Sequence, residues 1–134
     1  MAATQEQQNH IPVVVIGVTR GTALATGDAF FVNTPYIVAA ALDFTESPDP
    51  YQYSPPNLAI VLNCLHPRPR ILVTGTAVPD DLLPAIDQAW TEYVNRWKVD
   101  GAWVALSKTH PSAGPPPPGT GEELMRQLKE KFGF

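Results

Sequence analysis

Residues 71–106 read as strand, amphipathic helix, strand, and no other stretch restricts the fold as strongly. Residues 71–74, Ile-Leu-Val-Thr, are apolar without alternation, the pattern of a central strand covered on both faces. Pro79-Asp80-Asp81 then opens a helix with two acids near the positive end of its dipole. Leu82, Leu83, Ile86, Ala89, Trp90, Tyr93, Val94 and Trp97 form an apolar stripe, with Asp87, Glu92, Asn95 and Arg96 outside it. Residues 98–101 close this helix and residues 102–106, Ala-Trp-Val-Ala-Leu, return to strand. Two strands joined this way form a right-handed parallel βαβ unit. The chain is therefore α/β, and its 134 residues suit one domain.

The first half is read from shorter signals. Residues 12–18, β-branched and bounded by Pro and Gly, predict a strand. Residues 19–27 hold two glycines and small side chains and predict a turn; residues 28–32 predict a second strand and residues 36–42 a third. Short links between them favour antiparallel neighbours, that is, an N-terminal hairpin. Residues 43–56 carry four prolines and read as a loop. Ser54 is then an N-cap with Pro55 at the first helical position. The helix that follows is apolar almost all round, which predicts burial, and the prolines at 67 and 69 end it.

Proline fills 15 of 134 positions, about twice the usual share, with an unbroken run at 115–118. The expected division is a flexible N-terminus at 1–10, a single α/β domain at 11–109, a stiff proline-rich linker at 110–119 and a C-terminal helix at 120–134. Thr120-Gly-Glu-Glu123 reads as a capping box for that helix, whose Leu124, Leu128 and Phe132 share a face.

Charge removes several function classes. The net charge of −4 argues against nucleic acid as a partner. Residues 1–67 hold one base, Arg20, against five acids, so this half suits a buried sheet or a partner-covered face. No apolar run approaches the about 20 residues needed to span a membrane. The polar, glutamine-rich start resembles neither a secretory signal nor an arginine-rich transit peptide. One cysteine, Cys64, and three scattered histidines give no disulfide and no metal-ligand spacing, and the reading calls for no cofactor.

The candidate site residues are few, and none reads as catalytic. Cys64 and His66 are two apart, as a thiol and its base, yet a thiol in an apolar helix is commonly plain packing. The turn from Gly75 to Asp81 follows a strand and precedes a helix, where phosphate often binds. It has a single glycine, and Asp80 and Asp81 would repel an anion. Gly75 and Thr76 are its candidate contacts. Arg68 and Arg70, kept extended by Pro69, point to one side and suit a partner carboxylate; a solvated pair is the plain alternative. Trp90, Tyr93 and Trp97 read as core, with some aromatic surface left for a partner.

From residue 18 to 109 an ordered series of short motifs resembles the family of mitochondrial complex I assembly factor 3 and its bacterial and archaeal relatives. Arg20-Gly21 with residues 27–32 resembles that family's opening hairpin, and Thr34-Pro35 with residues 37–44 its next strand. Residues 67–76 resemble its apolar strand leading into Gly-Thr-Gly, although Ala77 replaces the second glycine. The resemblance implies a three-layer domain around a mixed sheet, no catalytic residue, no cofactor, and a protein-binding role in assembling respiratory NADH dehydrogenase. It implies a mitochondrial location in a eukaryote and a cytoplasmic one in a prokaryote. The expected function is thus a non-enzymatic assembly factor, chaperone-like, with protein partners. The alternative is a small-molecule or nucleotide binder, or a small enzyme, using the turn from Gly75 to Asp81 with Cys64 and His66. A structural subunit docking through its proline-rich tail is a third option.

Overall fold

A computed structural model of the chain describes residues 10–45, 48, 51–109 and 118–133. Strand β1 (Ile11–Gly17) leads into helix α1 (Arg20–Phe30), strand β2 (Tyr36–Asp43) and helix α2 (Pro55–Cys64). Strand β3 (Ile71–Thr74), a 3₁₀ turn at Asp80–Leu82, helix α3 (Leu83–Trp97) and strand β4 (Ala102–Ala105) follow. A helical turn, α4 (Leu106–Thr109), and helix α5 (Thr120–Phe132) complete the described order. The four strands form one sheet in the order β2-β1-β3-β4, and every pair is parallel.

The strand–helix–strand reading of 71–106 holds: β3 pairs with β4 in parallel, Ile71 to Ala102 through Thr74 to Ala105. The N-terminal antiparallel hairpin and the mixed sheet do not. Where residues 28–32 promised a strand, the chain is still in helix α1 or just past it, and β1 pairs with β2 in parallel. Gly27 explains the difference. A Cβ there would lie 2.7 Å from Val38 Cγ2, so this glycine lets α1 press against β2 instead of turning the chain. Close packing on the sheet outweighs the poor helix propensity of glycine and threonine.

Alternate strand residues feed two cores. Val13 and Val15 with Ile71 and Val73 meet Ala23 of α1 and Leu124 and Leu128 of α5. Val14 and Ile16 with Leu72 meet Leu58 and Leu62 of α2 and Ile86, Trp90 and Tyr93 of α3. β3 is buried at all four positions, as an inner parallel strand must be.

Local details follow and correct the sequence signals. Ser54 caps α2, its Oγ accepting from the Asn57 N–H at 3.1 Å, with proline in the first turn. Ser54→Ala is expected to cost about 1 kcal/mol, read as a lower urea midpoint with unchanged slope. The burial expected all round α2 is not observed: only Leu58 and Leu62 are buried, while Ile60 and Cys64 are exposed. Only the face carrying Leu58 and Leu62 packs on the sheet and α3. The capping box at 120–123 is also absent. Gly119 is the N-cap without a side-chain bond, Thr120 is buried, and Glu123 reaches forward to Arg126 and Gln127. The flexible start and the linker fall outside the described residues, apart from His10, Pro118 and Gly119.

Candidate functional site

The two halves of the alternative site stand at opposite ends of the sheet. Gly75 follows the carboxyl end of β3, whereas Cys64 and His66 precede its amino end. The four residues of β3 alone separate them by about 13 Å. Cys64 is exposed, not a buried thiol, and His66 lines a small groove of about 230 Å³ with Pro12, Ile37 and Ala39. The turn after β3 is closed by its own bonds. The Gly75 N–H donates to Ile16 O at 2.9 Å, the Val78 N–H donates to Gly75 O, and Thr76 is buried. The Gly75 and Val78 amides thus serve the fold.

The arginines also part company. Arg68 donates to Asn63 O at 2.6 Å and lies over the Trp97 ring, 3.6 Å from its centroid. Arg70 instead reaches Asp100, through its carbonyl at 3.0 Å and its carboxylate at 3.5 Å, and stands over Phe132 of α5. They therefore do not point to one side; each ties a different helix to the segment before β3. The Asp100 carboxyl is held below its usual range by a hydrogen bond and charge from Lys131, with a smaller share from Arg70. Trp97 is part exposed under Arg68, while Trp90 and Tyr93 are buried as expected.

Sequence reasoning missed the flank of β2. Because β2 ends the strand order, no described strand pairs with its outer side. Its carboxyl half is closed by the chain itself. The Asp43 N–H donates to Tyr51 O, the Tyr53 N–H donates to Asp43 O, and Arg20 donates to Ala41 O at 3.4 Å while lying over the Tyr51 ring. Among the described residues nothing straps 37–40 in this way. A groove lies on each side of them. On the α1 side a groove of about 560 Å³ is lined by Leu24, Gly27, Val32 and Val38, and on the α2 side lies the smaller groove already described. Ile37 belongs to both. Leu24, Val32 and Ile37, all lining the α1-side groove, expose 42%, 60% and 41% of their surface, an apolar concentration uncommon on a free face. The signal available in the sequence was the absence of charge from 36 to 42, where natural edges carry lysine or proline.

A third groove, of about 730 Å³, lies beyond β4 between Asp80, Asp87, Trp103 and Lys108. Its Ser107 Oγ is buried without a hydrogen-bond partner among the described residues, and Trp103 Nε1 donates to Thr74 Oγ1 at 3.2 Å. Among the described residues no three His, Cys, Asp or Glu side chains are grouped to hold a metal ion. Among the same residues no helix is long and apolar enough to cross a membrane. Compared with known proteins, the chain matches no family model, no curated protein and no solved structure.

Proposed function

We propose that this protein is a non-enzymatic binding module that joins other polypeptide through the open half of the β2 edge. The observation that carries this reading is the contrast within one strand: among the described residues the chain straps Ala41 and Asp43 and nothing straps 37–40, which lie between two grooves. Backbone groups on a bare edge give affinity to an added strand, and flanking grooves select its side chains. Helices α1 and α5 pack with one set of strand side chains and α2 and α3 with the other, which supports an edge carried on packed elements, as a docking surface requires. Assembly of respiratory complex I in the mitochondrion, the role the resemblance implied, is the narrower form of the same proposal.

Ala39 is exposed on the bare segment, so Ala39→Lys blunts the edge without entering the core. In affinity capture with the full chain, proteins retained by the native form and lost with Ala39→Lys are the expected result. Complex I subunits among them would support the narrower form. Identical capture by both forms would overturn the reading.

A second reading rests on the strand order. The chain reverses direction across the sheet between β1 and β3, and ligands of parallel α/β sheets bind beyond the carboxyl ends near such a point. The groove beside Ser107 and Trp103 lies at that end. A thermal-shift screen of nucleotides and metabolites separates the two, because only this reading expects a ligand-dependent rise in Tm.

A further inference from the structure

We propose that Trp97, with the guanidinium groups of Arg68 and Arg96 gathered on it, docks an acidic segment of another polypeptide. The segment sets an apolar side chain a few residues from a carboxylate. The cluster lines neither of the grooves beside β2, so this surface is additional to the edge.

Construction gives the first argument. Trp97 ends α3 with 39% of its surface exposed, and its Nε1 donates to Asn63 Oδ1 at 2.7 Å, which fixes the indole against α2. Arg68 lies over that ring, 3.6 Å from its centroid, while its Nη1 donates to Asn63 O. Arg96 approaches the same ring at 5.2 Å. Among the described residues, the Nε and Nη2 groups of Arg68 and the whole guanidinium of Arg96 donate to no acceptor. A guanidinium already held on an indole loses little freedom when a carboxylate arrives.

Charge gives the second. Both Cζ atoms are that close to one centroid, so they are within about 9 Å of each other, inside the Debye length at 0.1 M salt. Among the described residues neither cation has a carboxylate within 4 Å, whereas Arg70, Arg126 and Lys131 each have one. Glu92, one turn before Arg96, accepts instead from Gln88 Nε2 at 3.1 Å, and Asp100 is taken by Arg70 and Lys131. No acid occurs from residue 50 to 79 or from 93 to 99. In a chain of net charge −4 this is a local excess of positive charge, which an incoming carboxylate relieves.

The neighbouring surface gives the class of partner. Ile60, one turn before Asn63 on α2, exposes 57% of its surface and offers an apolar contact beside the cations. Tryptophan and arginine together are the side chains that dominate contacts between proteins. Nucleic acid would need a longer row of cations to hold its phosphates.

Fluorescence anisotropy of a labelled peptide of three Asp-Glu-Leu repeats, titrated with the full chain to about 1 mM, tests the proposal. Its uncharged twin, three Asn-Gln-Leu repeats, is the comparison. The acidic peptide should bind and the twin should not. Arg96→Gln, at an exposed position, should weaken binding about 10-fold or more with an unchanged far-UV spectrum. Arg68→Lys, which keeps the charge and loses the planar fork, should weaken it similarly. Lys129→Gln removes one charge from α5, which packs on the other core, and should bind as the native chain does. No rise in anisotropy, equal binding of both peptides, or tighter binding of a labelled single-stranded DNA of equal charge overturns the proposal. So does a folded Arg96→Gln that binds as the native chain does, or a Lys129→Gln that weakens binding as much.

Discussion

Gly101→Ala is expected to lower stability by about 3 kcal/mol, which for a domain of this length lowers Tm by about 10 °C. Gly101 sits just before β4, where the chain passes the backbone of Arg70. A Cβ added there would lie 2.6 Å from Arg70 O and 3.0 Å from Trp90 Cζ2. The carbonyl cannot retreat, because it accepts the Ala102 N–H at 2.9 Å and so begins the pairing of β4 to β3. The ring cannot retreat either, since Trp90 is buried against α2 and the sheet. The added methyl must push β4 outward or unseat α3. Gly75 is the comparison, for a Cβ there meets only ordinary contacts, 3.5 Å from Ile16 O and 3.9 Å from Gly17 Cα. Calorimetry of Gly101→Ala settles the matter: a Tm within 2 °C of the native value would mean that β4 is not held as closely as this geometry requires.

What the sequence revealed, and what it withheld, follows from how local each signal is. The unit at 71–106 was legible because helix stripe, strand run and crossover all agree over 36 residues. The region 19–32 was not, because Gly21 and Gly27 are turn signals only until a sheet lies against them. Residues 28–32 are also too short for periodicity to separate helix from strand. Cys64 and Ile60 were misjudged for a related reason. All-round apolarity predicts burial only for a helix with neighbours on every side, and α2 packs through the face of Leu58 and Leu62. The open edge is the least local property of all. Residues 36–42 look like any apolar strand, and their place at the end of the sheet depends on where two crossovers, α1 and α2, send the chain. Of the candidate contacts, Gly75 and Arg70 bond to Ile16 and Asp100, partners distant in sequence, Arg68 bonds to nearby Asn63 while lying over Trp97, and Thr76 is buried.

Tyr93→Ala is expected to have the largest effect, a loss of about 3–5 kcal/mol. Tyr93 is the bulkiest of the fully buried side chains, packed beside Trp90 with ring centroids 5.5 Å apart. Its hydroxyl crosses to the segment before β3 and donates to Pro69 O at 2.5 Å, so one residue both fills the α3 core and anchors the chain between the two arginines. Tyr93→Phe keeps the ring and removes the donor, which leaves a buried carbonyl without it and costs about 1–2 kcal/mol. Burial also pushes the phenol up to about 12 from its ordinary value of 10.0, against a smaller opposing pull from the Arg68 cation. The folded state therefore holds this proton more tightly than the unfolded chain. The stabilisation is complete below pH 10 and is lost as pH rises from 10 towards 12, where unfolded molecules release the proton first. The native protein should unfold in this window with a steep rise in tyrosinate absorbance. Tyr93→Phe should start from lower stability yet lose less of it between pH 10 and 12. Equal losses for both proteins would show that another group governs alkaline unfolding.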